Sequence, residues 1–368
     1  MLSCFRGPGS VADAILGWDV GGANIKVARI DLHAPCAQTV IEQPFPLWRE
    51  FDRLPSVLAV LASRIGARHV PGTCLAPDGA PPAVMAITMT AELADCFATK
   101  REGVAFVVAA FERALPGSIL WVFGTDGRFR SAEDARHHPH DVAAANWMAT
   151  AMLVARTHAD ALLIDVGSTT TDIVPIAGGR VVAAGRTDPA RLRSGELVYT
   201  GVLRTPVCAV IRSVPLERGR SRVAAEHFAI AADAYRWLGT IEDGDYTCET
   251  PDGRGRTADA AGARLARMVC ADSETIAVGD VTAIAAHVAH TQSRQIAHAI
   301  RQVLRRRGTA APRAAVVTGA GAFLARAAAE AADLAVRDLA ADMGSAAARA
   351  APAAAVAHLL AEVICTPR

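Results

Sequence analysis

The chain has 368 residues, 52% of them hydrophobic, with 38 Lys plus Arg against 37 Asp plus Glu. This length and apolar content are sufficient for two domains with packed cores, and they exclude a disordered or fibrous protein. The net charge of +1 gives no overall field that would attract nucleic acid or an anionic membrane, so neither is expected as a partner. No apolar run approaches the roughly 20 residues of a membrane-spanning helix.

The N-terminal segment and the cysteines indicate a cytoplasmic protein. Residues 1–13 are predicted to form an extension, and they lack the basic and apolar regions of a signal peptide. The eight cysteines include no Cys-x-x-Cys pair, which favours reduced thiols over a zinc or redox site.

Two apolar strands end in the same tripeptide. The strand within 14–21 ends in Asp19-Val20-Gly21, and the strand within 161–167 ends in Asp-Val-Gly as well. Each is followed by a turn and an alternating run, which predicts a hairpin. Such an internal repeat predicts two similar α/β halves, 14–158 and 159–368, that face each other across a cleft. It leaves open whether helix 346–364 packs back on the first half.

The remaining elements alternate between helix and strand. In the first half, the patterns predict a helix at 51–66, a strand at 83–89, a helix at 103–114, a strand at 118–123 and a helix at 141–158. In the second half they predict an irregular region at 185–222, helices at 224–238, 257–271 and 280–307, an exposed loop at 239–256, a strand at 314–318, and helices at 321–332 and 346–364. This alternation is typical of parallel sheets covered by helices.

Three glycine turns are candidate phosphate sites, because backbone amides without bulky side chains can approach a phosphate closely. The candidate residues of the three turns, in chain order, are Gly21, Gly22, Ala23 and Asn24, then Gly167, Ser168, Thr169 and Thr170, then Gly319 and Gly321. The third turn lies between a strand and a helix, which suits an anion or a nucleotide base. Asp19 and Asp165 precede the first two turns, and they are predicted to hold Mg2+ through waters over a di- or triphosphate.

Only two of the 38 cationic side chains are lysines, Lys26 and Lys100. A lysine in so arginine-rich a chain indicates a position that needs a compact ammonium, with chance as the alternative. Lys26 follows the first glycine turn and is predicted to supply a point charge to a phosphate. In the second repeat, Asp172 takes its place.

The three motifs in this order resemble the acetate and sugar kinase, Hsp70 and actin superfamily. The resemblance implies duplicated ribonuclease-H-like halves. The segments GWDVGGANIK, 88–104, LLIDVGSTTTDIVPI and 195–207 are similar to one branch of the hydantoinase A/oxoprolinase-related proteins. That branch comprises the tetrahydromethanopterin-linked C1-transfer pathway proteins, which include a furan-ether synthase of methanofuran biosynthesis. The resemblance implies a transferase that joins an aminomethylfuran-methyl diphosphate to the phenol oxygen of a tyrosine-derived acceptor and releases diphosphate.

The residues that such a reaction needs can be matched to this chain. Metal and Lys26 would offset the charge on the departing diphosphate. A phenol with a pKa of about 10 calls for a base. Glu92 is the first candidate and Asp95 the second, although Glu92 is equally suited to the first turn of a helix capped by a preceding threonine. Candidate substrate-binding residues, with a plain loop as the alternative, are Glu196, Tyr199 and Thr200.

The sequence leaves two other functions open. A small-molecule kinase or ATP-dependent hydrolase would consume ATP, whereas a non-catalytic actin-like or chaperone-like protein would bind nucleotide only. The histidines of the segment RHHPHD, at 137, 138 and 140, invite a metal interpretation, but Asp141 is better explained as the N-cap of the next helix. The sequence predicts no oligomeric state.

Overall fold

The computed structural model describes residues 13–34, 38–66 and 83–365, which form two compact units. The first unit comprises the described residues up to 159, together with 179–181 and those from 340 onward. The second unit comprises residues 160–178 and 182–339. The extension predicted at 1–13 lies outside the described residues, apart from Asp13. The described residues from 340 onward, which include the helix whose packing the sequence left open, belong to the first unit and not to the half that begins at 159.

The elements up to residue 159 are six strands and six helices within the described residues. The strands are β1 Ala14–Val20, β2 Asn24–Asp31, β3 Gln38–Pro44, β4 Val84–Met89, β5 Ile119–Phe123 and β6 Phe129–Ser131. The helices are α1 Leu47–Glu50, α2 Leu54–Arg64, α3 Lys100–Ala114, α4 Ala132–His137, α5 Pro139–Val142 and α6 Asn146–Val154. Single 3-10 turns lie at Phe51–Arg53 and Ala91–Leu93.

The rest of the chain continues the alternation. Its strands are β7 Ala161–Val166, β8 Thr171–Ala177, β9 Arg180–Val181, β10 Leu197–Val198, β11 Ser213–Leu216, β12 Gly219–Arg222, β13 Ala314–Thr318 and β14 Ala335–Asp338. Its helices are α7 Asp188–Ser194, α8 Val207–Val210, α9 Ala231–Trp237, α10 Ala258–Arg267, α11 Val278–Arg307, α12 Ala322–Glu330, α13 Ala340–Met343, α14 Ser345–Arg349 and α15 Ala351–Cys365.

The two main sheets share one strand topology, so the predicted duplication is confirmed. The first sheet has the order β3-β2-β1-β4-β5-β6, and the second has the order β10-β8-β7-β13-β14. In each sheet the central strand pairs antiparallel with its hairpin partner and parallel with the next strand on its other side. A further parallel strand follows, β5 in the first sheet and β14 in the second.

Several predicted elements need correction. The helix predicted at 141–158 begins only at Asn146, because a separate turn of helix, α5, occupies Pro139–Val142. The strands β3, β6, β10, β11, β12 and β14 were missed. These strands are short or carry half-exposed polar residues, so they lack the apolar runs that identify a buried strand.

The two faces of β1 are covered by different parts of the first unit. The ring of Trp18 packs edge-on against Phe111 of α3 at a centroid distance of 5.3 Å. On the opposite face α15 lies directly on the backbone of Gly17, where a Cβ atom would meet the carbonyl oxygen of Ala353 at 2.0 Å. This contact explains why the last helix belongs with the first sheet.

A buried ionic network stabilises the second unit. The guanidinium of Arg264 lies 2.8 Å from the carboxylate of Asp233, and both side chains are fully buried. The hydroxyl of Tyr246 donates to the same carboxylate at 2.8 Å, and Arg264 also reaches Asp252 at 3.1 Å. Helices α9 and α10 are thereby joined to the loop at 239–256.

Within the described part of the chain, no helix combines the length and the apolar character needed to cross a membrane.

Replacement of Arg264 by methionine is expected to destabilise the protein by about 3–5 kcal/mol at pH 8, because Asp233 would stay buried without its cation. Burial raises the pKa of Asp233, and Arg264 opposes this effect. Without Arg264 the folded state binds a proton on Asp233 more readily than the unfolded state does. Stability is then retained at low pH and lost as the pH rises through the folded-state pKa.

Urea unfolding of the Arg264→Met variant at pH 5 and pH 8 checks this expectation. The matched control is Arg254→Met, which changes an exposed arginine in the loop at 239–256. An equal loss of stability at the two pH values would show that the pairing with Asp233 is not the cause.

Candidate active site

Asp19 occupies the end of the central strand of the first sheet. It lies directly opposite Lys26 of β2 and Thr88 of β4. Residues in register on neighbouring strands point to the same face of a sheet, so the three side chains form one row. Asp19 is 7% exposed and Thr88 is fully buried.

The second sheet repeats this row. Asp165 of β7 lies opposite Asp172 of β8 and Thr318 of β13. Thr318 is buried like its counterpart Thr88. Each unit therefore presents an aspartate beside a threonine of the adjacent parallel strand, and the duplication extends to the side chains of the candidate site.

The first glycine turn is held from within its own unit. The amide of Gly21 donates to the carbonyl oxygen of Asn24 at 2.9 Å. The carbonyl oxygens of Gly22 and Ala23 accept hydrogen bonds, at 3.0 and 2.9 Å, from residues at and just before the start of α1. The turn is therefore fixed through its carbonyl groups.

Lys26 makes contacts that the sequence did not indicate. Its ammonium donates to the carbonyl oxygen of Arg349, the last residue of α14, at 2.8 Å. The carboxylate of Glu42 on β3 lies 3.8 Å away, and the Lys26 side chain is 20% exposed. Lys26 thus holds the C-terminal end of α14 against the sheet. The charge contact with a phosphate stays a prediction.

Glu92 is buried beside the other lysine of the chain. It lies in the 3-10 turn after β4, and the ammonium of Lys100 is 3.6 Å from its Oε1. Its side chain is 1% exposed, whereas that of Lys100 is 22% exposed. Thr90 precedes the turn, but its side chain makes no capping hydrogen bond. Asp95, the second candidate base, is exposed.

The third glycine turn lies against the end of β7, directly before the second turn. The amide of Gly321 donates to the carbonyl oxygen of Val166 at 2.8 Å. Gly319 has a φ of +91°, and a Cβ atom there would lie 2.3 Å from Oδ1 of Asp165. Only glycine fits such a position, because the backbone is left-handed and the carboxylate occupies the space of a side chain. Asp165 is thereby placed against the third turn.

A buried arginine neutralises the second carboxylate of this unit. Arg191 of α7 is 1% exposed and lies 2.8 Å from Oδ1 of Asp172. Burial raises the pKa of Asp172, and the Arg191 guanidinium opposes that shift. Sequence reasoning missed Arg191, since it lies in the region at 185–222 that shows no periodic pattern.

The three candidate substrate-binding residues have different surroundings. The carboxylate of Glu196 is buried and accepts hydrogen bonds from the amides of Ala184 and Gly185, at 2.6 and 2.8 Å. Thr200 is 3% exposed, whereas Tyr199 is 68% exposed. Tyr199 alone of the three therefore presents its side chain to the surface.

The histidine segment shows no metal-binding arrangement. Asp141 lies within α5, and its carboxylate accepts a hydrogen bond from Arg130 at 3.0 Å. The prediction that Asp141 caps the following helix was wrong, since α6 starts five residues later. Among the described residues, no group of three or more His, Cys, Asp or Glu side chains is arranged to hold a metal ion.

A solved structure has a similar fold. The nucleotide-free structure of an acetone carboxylase matches 88% of this chain and 68% of its own, with a TM-score of 0.53 and 9% sequence identity. At this identity the similarity concerns the fold alone. Together with the repeated strand order, it confirms the predicted class of duplicated ribonuclease-H-like halves.

Sequence comparisons identify the family. The hydantoinase/oxoprolinase family model matches residues 83–363. The (4-{4-[2-(gamma-L-glutamylamino)ethyl]phenoxymethyl}furan-2-yl)methanamine synthase of Methanocaldococcus jannaschii is 38% identical over 263 residues, which are 71% of this chain and 73% of that protein. The synthase of the same name from Methanococcus vannielii is 37% identical over 124 residues, or 34% of this chain and 55% of that protein. The chain belongs to the hydantoinase/oxoprolinase family and, within it, to the group that contains these furan-methanamine synthases.

Proposed function

We propose that this protein is an ether synthase that joins a furan-bound methylene group to the phenol oxygen of a tyrosine-derived acceptor and releases diphosphate. The observation that carries the proposal is the 38% identity to the M. jannaschii synthase over 71% of the chain. The name of that enzyme describes a phenoxymethyl group on a furan that bears a methanamine, which is an ether of this type. The pathway in view is biosynthesis of a methanofuran-type carrier of tetrahydromethanopterin-linked C1 metabolism.

The proposed reaction exchanges one carbon–oxygen bond for another. The bond between the methylene carbon and the diphosphate breaks, and its electron pair leaves with the diphosphate. The phenol oxygen forms the new bond to that carbon and gives up its proton. Because the furan ring stabilises positive charge on the methylene carbon, the main demand on the protein is to stabilise the negative charge of the leaving group.

The glycine turns are the proposed binding sites for the diphosphate. Lys26 is the proposed balancing charge, because its compact ammonium follows the first turn and lies in the same row as Asp19. Asp165 and the third turn support the same role in the second unit, where the carboxylate lies against Gly319. Neither role requires transfer of a phosphoryl group.

Mg2+ is the proposed metal, and Asp19 and Asp165 are each a proposed ligand within their own unit. The donor set suits this ion, since Mg2+ commonly takes one or two carboxylates and completes its coordination with water and phosphate oxygens. When bound, Mg2+ would offset the charge that develops on the departing diphosphate.

Glu92 is the proposed acceptor of the phenol proton. The ammonium of Lys100, 3.6 Å away, balances the charge of the Glu92 carboxylate, so the buried carboxylate is not an isolated anion. Because the carboxylate is only 1% exposed, the phenol proton would reach it by a relay, in which the partly exposed Lys100 ammonium passes one proton to Glu92 and takes the phenol proton in its place.

A product assay tests the proposed function. The full-length protein is incubated with a furanylmethyl diphosphate, a panel of tyrosine-derived phenols and Mg2+, and products are identified by mass spectrometry. An aryl ether and one equivalent of diphosphate are expected without ATP. Strict dependence on ATP, or phosphorylation of the substrate, would instead indicate the kinase or hydrolase function.

Asp19→Asn and Asp165→Asn are each expected to lower kcat by 10²-fold or more, because a neutral amide is a poor ligand for a divalent cation. Both variants should melt near the temperature of the unaltered protein. Asp52→Asn, a change at an exposed aspartate, is the matched control. Unfolding of both variants would show that the two aspartates act in folding rather than in the reaction.

The two roles of Lys26 can be separated. If its ammonium stabilises the leaving group, Lys26→Ala should lower kcat by about 10²-fold, and Lys26→Arg should restore little, because a planar guanidinium does not replace a point charge. Glu42→Gln removes the ion-pair partner but keeps the lysine, and it should leave kcat nearly unchanged.

The measurements are kcat and the melting temperature of all three variants. A lower melting temperature with unchanged kcat for Lys26→Ala would limit Lys26 to its contact with the end of α14.

Glu92→Gln is expected to lower kcat most near neutral pH, where an ionised phenol is scarce. The loss should shrink as the pH approaches the phenol pKa of about 10, since the substrate then needs no base. A pH–rate profile of the variant beside that of the unaltered enzyme checks this. A loss that is equal at every pH would assign Glu92 a structural role.

A further inference from the structure

Gln292, near the middle of α11, is fully buried and fully hydrogen-bonded. Its Nε2 donates to Oγ1 of Thr200 and to the carbonyl oxygen of Gly201, both at 2.7 Å. Its Oε1 accepts from the hydroxyl of Tyr235 at 2.8 Å. Burial raises the pKa of that hydroxyl, so Tyr235 remains a donor and fixes the orientation of the amide.

The segment that Gln292 holds lies on the second glycine turn. The amide of Val202 donates to the carbonyl oxygen of Gly167 at 3.0 Å, and that of Leu203 donates to Ser168 at 3.1 Å. Contact at Gly201 is so close that a Cβ atom there would lie 2.4 Å from the amide nitrogen of Thr169. Because the segment occupies the carbonyl side of the turn, its position determines that of the turn.

Tyr235 connects the same glutamine with the third glycine turn. Its ring packs edge-on against Phe323 at a centroid distance of 5.1 Å. Phe323 lies in the first turn of α12, two residues after Gly321. One buried amide therefore links the elements that support both glycine turns of the second unit.

We propose that Gln292 is a positioning residue that holds the second and third glycine turns in the arrangement that binds the diphosphate group of the substrate. The inference rests on the proposed function, because that function identifies the bound anion as diphosphate. The amide is needed in chemical terms: a carboxylate at this place could not donate to the Gly201 carbonyl, and an apolar side chain would leave buried polar groups without partners.

The test variant is Gln292→Met, which keeps the length of the side chain and removes the three hydrogen bonds. Gln295→Met is the matched control, because Gln295 lies one turn further along α11 and donates to a backbone carbonyl, that of Val210, at 3.3 Å. Tyr235→Phe removes only the hydroxyl and keeps the ring against Phe323.

Binding of inorganic diphosphate is measured by titration calorimetry in the presence of Mg2+. Gln292→Met is expected to weaken binding at least 10-fold, Tyr235→Phe to weaken it by a smaller factor, and Gln295→Met to change it less than 2-fold. The double variant Gln292→Met/Tyr235→Phe should bind no more weakly than Gln292→Met alone, since both changes break one chain of contacts. Equal binding by Gln292→Met and the unaltered protein would overturn the proposal.

Amide hydrogen exchange tests the positioning without reference to the reaction. The amides of Val202 and Leu203 should exchange at least 10-fold faster in Gln292→Met, with those of β7 unchanged. Unchanged exchange at 202–203 would overturn the proposal even if binding were weakened. If the unaltered protein binds diphosphate but makes no ether, the proposed function fails while the role of Gln292 stands on these two measurements.

Discussion

The candidate site depends on one constraint, which is that each candidate aspartate lies on a central strand that is hydrogen-bonded on both edges. β1 and β7 each pair with a hairpin partner on one side and a parallel strand on the other. A slip of one residue in either pairing would turn the aspartate to the opposite face of its sheet. In the first sheet that face is packed against Phe111, so the register is fixed by the core as well as by hydrogen bonds.

The two halves share a backbone plan but differ in charge. Next to Asp19 the first hairpin carries Lys26, whereas the second hairpin carries Asp172 beside Asp165. Arg191 lies 2.8 Å from Asp172 and offsets its charge. The same hairpin position therefore carries an ammonium in the first unit and a carboxylate paired with arginine in the second.

The sequence was most informative about single elements and about motifs that recur along the chain. The strand predicted at 314–318 is observed at Ala314–Thr318, and the repeated Asp-Val-Gly tripeptide marked the true internal duplication. The helix predicted at 141–158 is longer than the observed α6, because Pro139 begins a separate turn of helix that apolar periodicity does not reveal. The family resemblance, carried by several short motifs, was confirmed by the relatives at 37 and 38% identity.

Contacts between residues far apart in the chain could not be predicted from the sequence. Gln292 is separated from Thr200 by 92 residues and sits on a helix whose pattern predicts only an amphipathic surface. The partner of Lys26 at the end of α14 is 323 residues away. Periodicity reports which face of an element is buried, and it does not report which polar group meets that face. Polar contacts of this kind are identified only in the folded structure, where the two partners lie next to each other.

The contacts of the two lysines explain why an arginine-rich chain retains them. Both lysines of the chain lie in the first unit, and each ammonium is within 4 Å of a carboxylate, Lys26 near Glu42 and Lys100 near Glu92. Ion pairing alone does not require lysine, because Arg264 and Arg191 fill buried ion pairs elsewhere in the chain. What distinguishes Lys26 is its second partner, the terminal carbonyl group of a helix, which a single compact donor reaches without the planar fork of arginine. The packing around α14 is therefore a sufficient reason for lysine at this position.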